Sequence, residues 1–128
     1  MIETLASLLL QRGWMLVTAE SCTGGSVASL CTDLAGSSHW FERGMVTYSN
    51  EAKQELLGVD PLLIQTHGAV SEAVARAMAL GASAVIDKPV VGVAGGFEIF
   101  ERDLAHLEPL LGRGHRFLRL HPRFSSWN

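Results

Sequence analysis

WMLVTAESCTGGSVASLCTDL, residues 14–34, changes its hydrophobic period midway, and that change decides the fold. WMLVTA is apolar almost throughout, which predicts a short strand inside a sheet covered on both faces. After Gly24 and Gly25 the apolar positions become Val27, Leu30, Cys31 and Leu34, the buried stripe of a helix. A strand running through a glycine turn into a helix is the unit of an α/β sheet.

The flanking sequence repeats the alternation. Ile2, Leu5, Leu8 and Leu9 recur at helical spacing, and Gly13 marks a stop. GMVTYS, residues 44–49, is the next strand candidate. Asn50 is placed to cap EAKQELL, with Gly58 at its C-terminal end, and Asp60 and Pro61 supply a cap and first-turn proline for a short helix running to Gly68. Ser71 caps the longest helix, in which Val74, Met78 and Val85 share a face and the intervening alanines allow close packing on a sheet. KPVVGVAGG, residues 88–96, is a third strand. Phe97, Phe100, Leu104, Leu107 and Leu111 again fit one helical face, stopped by Gly112. The expectation is an α/β fold, a three-layer α/β/α sandwich with a largely parallel or mixed central sheet, in one domain over residues 1–128.

Composition sets the class. The chain has 128 residues, 48% apolar and 18% charged, enough for one real core and too short for two. No run approaches the roughly 20 apolar residues of a membrane span, and the N-terminus lacks the basic start and cleavage site of a secretory signal. A cytoplasmic protein with no membrane partner is expected. Two cysteines, Cys22 and Cys31, are too few for a disulfide framework and read as reduced thiols, Cys22 as a small buried filler. Neither has a partner at zinc-like spacing, so no metal is expected. The net charge of −3 hides an asymmetry: beyond Gly112 come Arg113, Arg116, Arg119 and Arg123 with no acid. Such a tail suits phosphates, but its mixture with Phe117, Leu118, Leu120, Phe124 and Trp127 reads as a poorly ordered end and not a nucleic-acid site.

Ligands of an open α/β sheet collect where strands end and helices begin, because unpaired amides and the helix dipole favour negative charge there. At that junction Ser21 projects as a candidate nucleophile, with the amides around Thr23, Gly24 and Gly25 placed for an oxyanion or a phosphate. Ser21 or Thr23 as a plain helix N-cap fits the local sequence equally well. A serine nucleophile needs a base. None of His39, His67, His106, His115 and His121 is a convincing triad partner. Lys53, one of two lysines, follows Tyr48 in TYSNEAK and becomes a base if burial lowers its pKa, with Tyr48 relaying or orienting the proton; a solvated helix lysine is the other reading.

LVTAESCTGG, FERGMVTYSNEAKQELLGV and THGAVSEAVARAMALGA occur in this order between about Leu5 and Ala82. Together they resemble the C-terminal domain of the CinA family, the competence/damage-inducible proteins whose C-terminal domain is a nicotinamide-nucleotide amidase. The resemblance implies hydrolysis of nicotinamide mononucleotide to nicotinate mononucleotide and ammonia, with no metal or organic cofactor. By position it implies Ser21 as nucleophile, Tyr48 and Lys53 as the proton-handling pair, and Glu20, Thr23, Gly24 and Gly25 in the substrate pocket.

The resemblance stops at about Gly96. VVGVAGG, residues 90–96, matches the family's later glycine loop with Val91 in place of a hydroxyl residue, or DKPVVGV, residues 87–93, matches its following strand with the loop deleted. Residues 97–128 resemble neither the last strands nor the last helix of the family and form a divergent segment. Losing an interior strand exposes edge N–H and C=O groups, which the Phe97 to Leu111 stretch is expected to cover in part. Two alternatives to an amidase follow: a catalytically impaired module that binds a nucleotide phosphate at the Gly24-Gly25 loop, and a structural unit that self-associates through its apolar tail and sheet edge. A homo-oligomer is expected.

Overall fold

The computed structural model describes residues 2–86, 90–95 and 117–120. Its elements run α1 (Ile2–Arg12), β1 (Met15–Glu20), α2 (Ser26–Thr32), a single 3₁₀ turn (Ser37–His39), β2 (Phe41–Val46), α3 (Asn50–Leu57), α4 (Pro61–His67), α5 (Glu72–Ala84), β3 (Val90–Gly95) and β4 (Phe117–Leu120). The sheet has the order β2-β1-β3-β4, and all three of its pairings are parallel.

Strand β1 is central, and its residues Leu16 to Glu20 are all buried. Because successive side chains alternate across a strand, it feeds two cores. Leu16 packs with Leu5, Leu9, Val27, Cys31 and Trp40 beneath α1 and α2. Val17 and Ala19 face the other way, into Leu57, Ile64, Val74, Met78, Ala82 and Val90 beneath α3, α4 and α5. Helices on both faces of a parallel sheet make the expected α/β sandwich.

Several local expectations are corrected. The second strand spans Phe41–Val46 and not residues 44–49. Its pairing with β1 shifts between Leu16 and Val17, so Phe41 and Arg43 are successive partners and Glu42 bulges out. That bulge breaks the alternation a sequence pattern relies on. Asn50 is the first residue of α3, and Ser49 is the cap: in extended conformation, it accepts the Ala52 amide at 3.0 Å. Leu30 is 41% exposed, and Val85, just past the end of α5, is 54% exposed, so neither belongs to the stripe expected of it. Residues 117–120, expected in a poorly ordered tail, pair with β3 as strand β4. The edge of β3 is thus covered by a strand; the stretch from Phe97 to Leu111, expected to cover it, lies outside the described residues.

Asp60, Ser71 and Gly58 cap as expected. Asp60 accepts from the Leu62 amide, Ser71 from that of Val74, and Gly58 ends α3 in the left-handed conformation. The packing of α5 on α3 depends on Gly81. A β-carbon there would overlap the carbonyl oxygen of Leu57.

Candidate active site

The site is built where β1 ends. Gly24 and Gly25 both have positive φ, 60° and 104°, which lets the chain reverse between β1 and α2 within five residues. A hydrogen bond from the Gly24 amide to the Ser21 carbonyl at 3.0 Å closes the first turn, so that amide is not available to a ligand.

Neither Ser21 nor Thr23 caps α2. The cap comes from Glu20, fully buried at the end of β1. Its carboxylate accepts the amides of Val27 (2.8 Å) and Ala28 (3.1 Å) and the hydroxyls of Thr23 (2.8 Å) and Thr18 (3.1 Å). Charge at a helix N-terminus, satisfied by four donors, is a stable way to bury a carboxylate. Of the residues expected in a substrate pocket, Glu20 and Thr23 therefore turn their side chains to each other. The first-turn amides of α2 are occupied by Glu20, the Thr23 carbonyl and the Gly25 carbonyl. The loop amides of Cys22, Thr23 and Gly25 have no partner among the described residues.

Ser21 continues the alternation of β1 onto the α3 side. There its Oγ lies 3.2 Å from Nζ of Lys53. Lys53 sits in α3 and is 2% exposed. Its Nζ donates to the Tyr48 carbonyl at 2.9 Å, and among the described residues no carboxylate pairs with it. Burial lowers the pKa of Lys53 below the ordinary lysine value, and the neighbouring Cys22 opposes that shift. The structure thus brings Ser21 and Lys53 together across 32 positions of sequence.

Tyr48 reaches Lys53 through its main chain. Its side chain is 74% exposed, and its phenol has no hydrogen bond among the described residues. Cys22 is exposed, which corrects the buried filler read from sequence. Cys31 is buried between α1 and α2, where burial first and the charge of Glu20 second push its thiol pKa up to about 12. His39 and His67 are exposed; His106, His115 and His121 lie outside the described residues. No cluster of three or more His, Cys, Asp or Glu side chains suited to a metal occurs among the described residues. None of the described helices is long and apolar enough to cross a membrane.

One residue went unread in the sequence. Thr47, which follows β2, is fully buried, and its Oγ1 has no hydrogen-bond partner among the described residues. A threonine in a strand-like run carries no sign of this, because β-branched residues are ordinary there.

A hydroxyl beside a buried amine that has no carboxylate partner, with loop amides unpartnered among the described residues, can perform acyl transfer. Known proteins resemble the chain over the region that carries this site. The profile of the CinA C-terminal domain matches residues 1–96, ending where the divergent segment begins. The nicotinamide-nucleotide amidohydrolase PncC of Enterobacter agglomerans is 52% identical over 95 residues, covering 71% of this chain and 58% of that protein. The protein of the same name from Escherichia coli K12 is 58% identical over 80 residues, covering 62% of this chain and 48% of that one. The chain therefore spans about half the length of these two curated relatives. Among solved structures, the competence damage-inducible protein A of Klebsiella pneumoniae superposes with a TM-score of 0.64 at 40% identity, over 66% of this chain and 52% of that one. A CinA superfamily protein from Escherichia coli does so with a TM-score of 0.65 at 36% identity, over 67% and 50%.

Proposed function

Because this chain belongs to the CinA C-terminal domain family, we propose that it is a serine amidohydrolase converting nicotinamide mononucleotide to nicotinate mononucleotide and ammonia. One observation carries the reading: the buried Lys53 amine, without a carboxylate partner among the described residues, sits 3.2 Å from Ser21 Oγ. The names of the relatives from Enterobacter agglomerans and Escherichia coli support the substrate.

The neutral amine has one lone pair and two N–H bonds. With one N–H held by the Tyr48 carbonyl, the lone pair is free for the Ser21 proton. Ser21 Oγ attacks the carboxamide carbon as its proton passes to Nζ, and the carbonyl oxygen becomes an oxyanion. The loop amides of Cys22 and Thr23 are the nearest unoccupied donors in sequence to receive it. Collapse of the intermediate breaks the C–N bond while Lys53 returns its proton to the leaving nitrogen, releasing ammonia and an acyl-serine ester. Water, deprotonated by the same amine, cleaves the ester and restores Ser21. Lowering the lysine pKa serves both half-reactions, because a permanently charged ammonium takes no proton.

The test is ammonia release from nicotinamide mononucleotide by the intact chain, beside Ser21→Ala and Lys53→Ala. Both substitutions are expected to reduce turnover by about 10³-fold or more, as loss of a nucleophile or its base does elsewhere. Unchanged release in either variant overturns the assignment. Saturable binding of the mononucleotide with no release by the unaltered chain replaces the amidase with the binding module.

A further inference from the structure

Three observations put Thr47, whose hydroxyl has no partner among the described residues, on the same sheet face and at the same strand end as the Ser21-Lys53 pair. Ala19 pairs with Met45 and Glu20 with Val46, so one residue further on Ser21 stands opposite Thr47, whose amide donates to the Glu20 carbonyl at 2.8 Å. Ala19 and Met45 both pack into the core beneath α3, α4 and α5, and residues two further along carry their side chains to the same face. Lys53 Nζ is itself tied to the carbonyl of the very next residue, Tyr48. Two hydroxyls and one amine are therefore directed to one face at the ends of β1 and β2, with Thr47 and Lys53 buried and Ser21 half-buried.

Their hydrogen-bonding capacity does not balance in the resting arrangement. A neutral amine with Ser21 on its lone pair and one N–H on the Tyr48 carbonyl has a second N–H still to place, and once it is an ammonium that N–H carries positive charge. Thr47 Oγ1 is a buried acceptor with no partner among the described residues. We propose that Thr47 is a positioning residue whose hydroxyl accepts the third N–H of Lys53 once the amine has taken the Ser21 proton. The inference rests on the assignment of Lys53 as base. It accounts for an otherwise costly feature, since a buried hydroxyl without a partner destabilises a fold. Rotation about the Thr47 side chain brings the acceptor into use, and it binds an N–H of the ammonium more strongly than one of the neutral amine. That makes the interaction stronger after proton transfer than before it, the condition for raising turnover without tightening substrate binding.

The groups around Lys53 leave its titration readable. Cys22 acts on it from the loop. Glu20 directs its carboxylate into α2, Glu51 and Glu55 are exposed on α3, and on α5 Glu72 contacts Arg76 at the surface. Tyr48 turns its phenol outward. A Cys22→Ser background removes the thiol that acts on Lys53 electrostatically.

The experiment uses the full chain labelled with ¹³C at lysine Cε. The sequence has two lysines, and Lys88→Arg assigns the Lys53 signal. Thr47→Val keeps the shape and removes the hydroxyl; Thr47→Ala is the second variant should the valine fail to fold; Thr47→Ser keeps the hydroxyl. Without the hydroxyl the Lys53 midpoint is expected to fall by about one pH unit, a tenfold change in the protonation equilibrium. The value for kcat on nicotinamide mononucleotide is expected to fall about tenfold with KM unchanged. The thermal midpoint of Thr47→Val is expected to be equal to or above that of the unaltered chain, and Thr47→Ser to restore both titration and turnover. A Lys53 midpoint unmoved by Thr47→Val, or a serine variant that behaves like valine, overturns the inference. If the midpoint moves but no ammonia is released by the unaltered chain, the amidase reading fails and the Thr47-Lys53 relationship stands. If ammonia is released and the midpoint does not move, only the Thr47 inference fails.

Discussion

Glu20 and Ser21, adjacent in sequence, send their side chains to opposite faces of the sheet: the carboxylate fastens the start of α2 and the hydroxyl meets Lys53 on α3. One end of one strand therefore both anchors a helix and presents a nucleophile. The rigidity of the first supports the aim of the second.

Glu20→Ala is expected to cost about 3 kcal/mol or more of folding stability, since it strips partners from two buried hydroxyl and amide pairs at once. Urea denaturation measures it. A loss below about 0.5 kcal/mol, the range of ordinary surface changes, would mean the carboxylate is not the cap.

Lys53 makes stability and activity depend on pH in the same direction. Its folded pKa is lowered by burial, so between that value and the ordinary lysine value the unfolded chain binds more protons than the folded one. Stability then rises with pH across that window, and below the lowered pKa the full penalty of a buried charge is present. Lys53→Met, uncharged and similar in shape, is expected to be more stable than the unaltered chain at neutral pH. Their difference should narrow as pH climbs toward the ordinary lysine value. Denaturation curves at three pH values check the sign. Turnover is expected to disappear as pH falls through the lowered Lys53 pKa.

Gly81→Ala is expected to destabilise by about 3 kcal/mol, because the added methyl meets backbone and not a side chain that can move aside. The same push displaces α3, which carries Lys53, so turnover should drop more than the unfolded fraction explains. Comparing kcat with the fraction folded by circular dichroism separates the two effects.

The two cysteines should differ in reactivity. Cys22 is exposed in the site loop, while Cys31 is buried with its thiol pKa pushed up to about 12. Iodoacetamide on the native chain is expected to add one group, at Cys22, by mass spectrometry of peptides. The bulk it leaves beside Ser21 should block turnover.

Much of the framework was readable from local pattern. The period change after Ala19, the caps at Asp60 and Ser71 and the glycine stop at Gly58 each depend on a few neighbouring residues. What escaped depends on partners distant in sequence or on the main chain. Glu20 as the cap of α2 requires the strand end to fold back over amides seven and eight positions on. Gly81 reads as a weak helix residue until α3 is laid against it. The hold of Tyr48 on Lys53 runs through a carbonyl, which every residue possesses and no sequence pattern marks. Strand β4 hides because four residues with an arginine in an irregular tail give no periodic signal of their own.

The central position of β1 also sets the order in which the molecule can assemble. Met15 finds its partner only in Val90, after six intervening elements have been made. Closing a loop of that length before any parallel pairing rewards it slows folding. A chain emerging from the ribosome therefore holds its central, buried strand half-paired until residue 95 is free. During that interval the unpaired side of β1 is the surface most in need of a chaperone.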